Sequence, residues 1–283
     1  MLRNRNLVKH ERHPFHLVDP SPWPIMTGGA LLALALGFIS AFCRDHFNQC
    51  EQSVNYFGFY ISLIILILVL SRWFKDIIIE STFEGHHTRK VQENVLLGMK
   101  LFIVSEVMFF FSFFWAYFHF SLTPSIFTGG IWPCFGIPKL DPLAVPFLNT
   151  VILLSSGFSV TYSHKSLQSN NRKDALSWLG YTIFLGMVFT VLQGYEYSVL
   201  PFNIDTNVYG SIFYMITGFH GFHVIVGTIM LFVCLVRIKK YHNSNKYHVG
   251  FICALWYWHF VDIVWLGLYL IVYIWGGSDW IND

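Results

Sequence analysis

The amino-acid sequence predicts an all-α membrane protein with seven transmembrane helices. Hydrophobic residues make up 54% of the 283 residues and charged residues only 12%, whereas a soluble domain averages about 25% charged residues. The charged residues are also segregated, because long apolar runs alternate with short polar segments. This pattern excludes a soluble globular domain, and we expect membrane lipids rather than nucleic acid as the surroundings of the chain.

Seven apolar stretches are long enough to cross a bilayer, which takes about 20 residues at a rise of 1.5 Å per helical residue. Each stretch is much longer than the roughly 9–11 residues of a membrane β-strand and lacks strict alternation, which disfavours strands. The predicted spans are Trp23–Cys43, Val54–Phe74, Val91–Phe120, Val145–Leu167, Ala175–Tyr197, Tyr209–Arg237 and Gly250–Trp275.

The basic residues predict the orientation of the chain. Of the 18 Lys and Arg residues, fifteen fall on one side of the seven predicted spans, whereas Arg44 and Lys139 fall on the other and Lys100 lies within a span. Lys and Arg concentrate in the loops on the inner side of a membrane. We therefore expect the N-terminus inside and the C-terminus outside, as seven spans require.

The predicted organisation has three parts. Residues 1–75 contain the N-terminal segment and the first two spans, residues 76–93 form a polar inside linker, and residues 94–283 form a five-helix bundle. The linker carries carboxylates and paired histidines, and it is the only shift in composition that resembles a boundary. No internal repeat is visible, which argues against a transporter built from inverted repeats.

Glu106 is the first candidate functional residue, because it lies deep inside the apolar third span. A carboxylate at the bilayer centre costs roughly 2.5–3.5 kcal/mol on insertion scales, so a residue of this kind usually has a function. Its neighbours on the helix offer no partner, and burial without a cation favours the neutral acid. A proton-exchanging or gating group and an acid hydrogen-bonded within the bundle are the two interpretations.

A buried polar cluster is predicted from the sixth and seventh spans. His220 and His223 are three residues apart, as are His259 and Asp262, so each pair shares a helix face. Such a cluster could bind a metal, but no second helix supplies the matching histidines of a di-haem site. We therefore expect hydrogen bonds between helices and no metal or other cofactor on this chain.

Arg237, at the end of the sixth span, is a candidate lipid ligand together with Glu80, His86 and His87. Basic pockets between spans suit anionic headgroups. The alternative is that these residues are ordinary inside-loop charges, and composition does not decide between the two.

Four long segments carry a resemblance to subunit III of cytochrome c oxidase, in the haem–copper oxidase superfamily. The chain resembles that family from about His13 to Gly276. The segments are Glu80–Thr88, Leu101–Phe110, Thr217–Val224 and Trp256–Trp265.

The resemblance implies a two-helix part and a five-helix part separated by a V-shaped, lipid-filled cleft. It implies that haem A and copper reside in the partner subunits I and II, and that the chain binds phospholipids. Glu106 corresponds to the family's carbodiimide-reactive carboxylate. Trp73, Glu80, His87 and Arg237 correspond to positions associated with lipid headgroups.

The resemblance also implies a function, as a non-redox core subunit of a terminal oxidase that couples the reduction of oxygen to water with proton pumping. Small accessory subunits are further expected partners, and cytochrome c is the expected substrate of the complex. The expected location is the mitochondrial inner membrane, with a bacterial plasma membrane as the alternative. A quinol oxidase subunit and an independent seven-span transporter are the alternative functions.

Overall fold

The computed structural model describes residues 13–47, 56–126, 129–134, 137 and 140–276, and for residues 42–47 it describes the backbone. Seven α-helices and one π-helical segment follow one another, and the described residues contain no strand. The α-helices are α1 Trp23–Phe47, α2 Phe57–Thr82, α3 Arg89–Leu122, α4 Val145–Gln168, α5 Arg172–Val199, α6 Val208–Lys239 and α7 Val249–Leu268.

All seven helices are long and apolar enough to cross a membrane, which confirms the predicted fold class over the described residues. The start of the second predicted span, at Val54, lies outside those residues. The helices extend further into the polar segments than the predicted spans do. In particular, α2 continues through residues 76–82 of the predicted linker, where the isoleucine run Ile77–Ile79 follows Asp76 and prolongs the apolar stretch.

The seventh span ends differently from the expected regular helix. Residues Tyr269–Trp275 form a π-helix that continues α7. Such segments usually appear as single-turn bulges and often occur at functional sites. The apolar sequence of this segment gives no signal that distinguishes it from an α-helix.

The chain divides into two compact units, Met1–Asn94 and Val95–Asp283. In the first unit, α1 and α2 pack at Gly37, where a Cβ atom would lie 3.0 Å from the backbone of Phe59. Nε1 of Trp23 on α1 also donates a hydrogen bond of 2.7 Å to Asp76 on α2. A close approach and a polar bond therefore connect these two helices.

The core of the second unit is built around α7. Trp258 and Trp265 are fully buried, and their indole N–H groups donate to Ser156 (2.9 Å) and Thr150 (3.0 Å) on α4. Trp258 also fills the space beside Gly186 on α5, where a Cβ atom would lie 2.8 Å from its ring. Small residues and interhelical hydrogen bonds are the usual means of helix association in membranes.

Candidate functional site

Glu106 lies in the middle of α3 and reaches a histidine of α6. Its Oε2 atom is 2.8 Å from Nε2 of His223, and the side chains are 21% and 8% exposed, respectively. The two residues are 117 positions apart in the sequence. The packing of α3 against α6 thus creates an acid–base pair within the membrane-spanning part of the chain.

The other nitrogen of His223 restricts where the protons of this pair reside. Nδ1 lies 2.6 Å from the carbonyl oxygen of Phe219, one turn earlier in α6, so Nδ1 must carry a hydrogen and donate it. The contact between Nε2 and Glu106 then has two forms. Either a protonated Glu106 donates to a neutral imidazole, or an imidazolium donates to a carboxylate, and a shift of one proton interconverts them.

Aromatic rings surround the pair. The ring of Phe110 lies edge-on at 5.1 Å from that of His223, and those of Tyr257 and Phe260 lie at 6.2 and 6.4 Å. Phe219 packs against Phe109 at 5.1 Å. Such surroundings hold few competing hydrogen-bond partners, and in a low-dielectric site the acid and the base interact more strongly than in water.

His223 corrects the expectation that no base neutralises Glu106. The helix positions next to Glu106 are indeed apolar, but the partner comes from α6, and sequence spacing along α3 carries no information about it. The acid is therefore not isolated.

His220 occupies different surroundings from His223. Its Nε2 atom lies 3.2 Å from the carbonyl oxygen of Val261 and therefore donates, while its Nδ1 atom is buried without a partner among the described residues. The ring packs against Trp265 at 5.1 Å and Phe189 at 5.7 Å. These contacts fit a neutral histidine that fastens α6 to α7.

His259 and Asp262 form a second acid–base pair, on the side of α7 that faces α4. Nδ1 of His259 is 3.7 Å from Oδ2 of Asp262, and Nε2 is 3.1 Å from Oγ1 of Thr161. Asp262 fits against Gly157, where a Cβ atom would lie 2.7 Å from Oδ2. The four residues predicted as one polar cluster thus separate: His223 contacts Glu106, His220 contacts Val261, and His259 lies with Asp262 against α4.

Three of the four predicted lipid-binding residues belong to the first unit. Trp73 is half-buried on α2, and Glu80, at its end, lines a cavity of about 200 Å³ together with Trp23 and Asp76. His87 lies in the segment before α3, where its carbonyl oxygen accepts a hydrogen bond of 2.9 Å from the side chain of Gln92.

Arg237, the fourth predicted lipid-binding residue, ends α6 in the second unit. Its guanidinium group packs over Gly250 at the start of α7, where a Cβ atom would lie 2.7 Å from Nη1. Burial, followed by the charges of Arg237 and Lys240, lowers the pKa of His242. A half-buried cation therefore lies at this end of the helix.

Comparison with known proteins identifies the family. The family model for cytochrome c oxidase subunit III matches residues 13–277. Curated relatives named cytochrome c oxidase subunit 3 include that of Chondrus crispus, which is 52% identical over 95% of this chain and 96% of its own length. Those of Latimeria chalumnae and Arabidopsis thaliana are 49% and 48% identical over 95% and 96% of this chain and all of their own length.

The chain belongs to the cytochrome c oxidase subunit III family. It is therefore a multi-pass membrane subunit of the oxidase complex, together with other oxidase subunits. The alga, animal and plant sources of these relatives indicate a mitochondrial location. The family resemblance predicted from the four segments is thereby confirmed.

The described residues contain no group of three or more His, Cys, Asp or Glu that could hold a metal ion. Lys100, which the sequence places within a span, lies over the ring of Trp256 at 5.4 Å from the centroid. A cation–π contact between α3 and α7 therefore accommodates its charge.

Sequence reasoning missed a further buried carboxyl group. Glu196 on α5 is only 7% exposed, and its Oε2 atom accepts a hydrogen bond of 3.1 Å from Gln193, one turn earlier. The residue lies near the end of a span, where a carboxylate is usually solvated, so its position gave no signal. Gln193, one turn earlier and inside the same apolar run, is the residue that could have indicated it.

Proposed function

We propose that this chain is a non-redox core subunit of cytochrome c oxidase that stabilises the catalytic subunit, binds phospholipids and supports oxygen access and proton supply. The complex would transfer electrons from cytochrome c to oxygen, form water and pump protons. Haem A and copper would reside in subunits I and II, with small accessory subunits as further partners. The names of the relatives, which specify cytochrome c, support this donor over a quinol.

The Glu106–His223 pair is the observation that carries the supporting role. Both residues lie in membrane-spanning helices, and their 2.8 Å contact can hold one exchangeable proton in two positions. Neither form carries a net charge, so the pair can exchange the proton position without placing an isolated charge in the hydrocarbon region. We infer that it holds a proton near the catalytic partner without taking part in electron transfer.

The lipid-binding role rests on Trp73, Glu80, His87 and Arg237. An indole at the membrane interface and an arginine beside a helix end are suited to lipid headgroups. In this proposal the two-helix and five-helix parts, divided near residues 76–93, border a V-shaped cleft filled with lipid. Apolar lipid would also dissolve oxygen better than a polar channel would.

The orientation belongs to the same proposal. Fifteen of the 18 Lys and Arg residues fall on the side of the spans that holds the N-terminus. In the mitochondrial inner membrane this side would be the matrix, and the C-terminus would lie in the intermembrane space. Protease protection of an N-terminal epitope in intact mitoplasts, with cleavage of a C-terminal one, tests this assignment.

The variant Glu106→Gln tests the supporting role. We expect the purified complex to retain haem A and copper and most of its initial oxygen consumption, while the number of protons pumped per electron falls. The matched control is Glu93→Gln, because Glu93 is on the same helix but is 51% exposed and pairs with Arg89. Immediate loss of all turnover with both metals still present would contradict a supporting role.

Native purification through this chain in mild detergent tests the complex itself. We expect haem A, copper and two larger subunits to be recovered with it, together with phospholipid. Fewer lipids should remain with the triple variant Glu80→Gln, His87→Gln and Arg237→Gln. Recovery of a colourless chain without partners would instead support an independent membrane protein.

A further inference from the structure

Two histidines meet where the end of α4 lies next to the start of α7. His164 is in the last turns of α4, and His248 immediately precedes α7. Their Nε2 atoms are 3.1 Å apart, with ring centroids separated by 5.1 Å and ring planes inclined at 61°. The nitrogen atoms, rather than the ring faces, therefore point towards each other.

The orientation of His248 is fixed from its other side. Nδ1 lies 3.0 Å from the carbonyl oxygen of Ser244 and must donate to it. The Nε2 atom therefore presents a lone pair to His164 as long as the ring is neutral.

Two further contacts complete the surroundings of His164. Phe251 packs edge-on against its ring at 5.6 Å, and Nε2 of Gln168 lies 3.4 Å from its Nε2 atom. To bond to the lone pair of His248, His164 must carry its proton on Nε2. The amide of Gln168 is therefore assigned with its oxygen facing the Nε2–H group of His164, because its nitrogen there would place two N–H groups against each other.

We propose that His164, His248 and Gln168 form a binding site for a divalent transition-metal ion such as Zn²⁺. Two imidazole nitrogens that bind a tetrahedral zinc at about 2.0–2.1 Å lie roughly 3.3 Å apart, close to the 3.1 Å observed here. The bond from His248 to Ser244 is the arrangement that usually orients a metal-binding histidine.

The ligand set determines the kind of ion and its strength of binding. Two imidazoles favour zinc, copper or nickel over magnesium or calcium, which prefer oxygen ligands. All three side chains are neutral and Gln168 is exposed, so a remaining position is open to water. The site therefore suits an exchangeable ion that would fasten α4 to the start of α7, rather than a permanent structural metal.

Binding requires one proton rearrangement and no electron transfer. The Nε2 proton of His164 leaves to solvent, and Nδ1 of the same ring takes up another proton. The ion then takes the place of the hydrogen bond between the two Nε2 atoms, with both rings neutral.

Zinc uptake by the assembled oxidase complex tests the proposal. We would dialyse the complex against ZnCl₂ and measure zinc by mass spectrometry, comparing the original chain with the double variant His164→Gln, His248→Gln. We expect the original complex to bind one more zinc ion than the double variant. The control His242→Gln, in the same connection before α7, should bind as much as the original. Equal uptake by the original complex and the double variant would overturn the proposal.

A second measurement needs no substitution and so does not depend on the variant folding. Diethyl pyrocarbonate modifies accessible imidazole nitrogens, and peptide mass spectrometry locates the modified residues. We expect ZnCl₂ to slow the modification of His164 several-fold, whereas MgCl₂ should leave it unchanged and His242 should react equally in all samples. Modification of His164 at the same rate with and without zinc would overturn the proposal.

Discussion

The two compact units differ in what holds their helices together. In each helix from α4 to α7, 33–61% of the residues in the most apolar 18-residue stretch are buried within the chain. The corresponding shares in α1 and α2 are 17% and 11%. The second unit is also crossed by hydrogen bonds from Trp258 and Trp265 to α4. In a membrane, apolar surface alone does not drive helices together. Helices α4 to α7 thus supply their own packing, whereas α1, α2 and also α3, with 6% buried, leave most of their surface for lipid or partner chains.

Enlarging Gly186 should produce the largest effect, because it disrupts the helix packing that distinguishes the second unit. A Cβ atom there would lie 2.8 Å from both Thr228 and the buried ring of Trp258. Overpacking of this kind costs about 1–3 kcal/mol. We expect Gly186→Val to reduce strongly the amount of assembled complex, measured by its haem A absorbance. The control is Gly194→Val on the same helix, where no atom lies within 4 Å of the added Cβ, and this variant should assemble normally. An equal loss in both variants would show that α5 tolerates no branched residue.

Removing the hydroxyl group of Ser156 should have the next largest effect. The fully buried indole of Trp258 donates to this hydroxyl at 2.9 Å, and Ser156→Ala leaves the donor without its partner. An unsatisfied buried donor costs about 1–3 kcal/mol. We expect a lower thermal midpoint for the complex. The control is the neighbouring Ser155→Ala, which loses only a hydrogen bond to a carbonyl of its own helix and should change the midpoint little. Equal midpoints for the two variants would contradict the assigned role of Ser156.

The same contrast explains how far the sequence predicts the molecule. The helices follow from apolar runs of sufficient length, and Glu106 stands out because a carboxylate interrupts such a run. Its partner His223 could not be predicted, because the pair joins residues 117 positions apart and depends on how α3 and α6 are rotated about their axes. The separation of His220 from His223, three residues away on the same helix, depends on the same rotation. The π-helix of residues 269–275 and the burial of Glu196 likewise arise from tertiary packing.

Enlarging Gly37 tests the weaker packing of the first unit. A Cβ atom at this position would lie 3.0 Å from the backbone of Phe59, which is less able to move than a side chain. We expect Gly37→Val to cost on the order of 1 kcal/mol, less than the change at Gly186, because α1 and α2 have few buried neighbours to disturb. The measurement is the fraction of complex that survives a graded detergent series. The control is Gly29→Val on the same helix, where no atom lies within 4 Å of the added Cβ. A larger loss of complex in Gly37→Val than in Gly186→Val would reverse the comparison of the two units.

The smallest expected effect is a dependence of stability on pH at His242, outside the helices of the second unit. Burial, followed by the charges of Arg237 and Lys240, lowers the pKa of this residue. The unfolded chain then binds more protons than the folded chain between the lowered pKa and the ordinary value of about 6.5. Its contribution to stability is therefore present above about pH 6.5 and declines as the pH falls through that value.

We expect His242→Gln to flatten the decline of the thermal midpoint below about pH 6.5, measured with a chelator present so that no metal ion contributes. High salt screens the charges of Arg237 and Lys240 but leaves burial unchanged. Salt should therefore remove only the smaller part of the effect in the original chain, and Lys240→Gln, which leaves Arg237 in place, should remove less than salt does. If salt removed the whole dependence, repulsion by the two cations rather than burial would control His242.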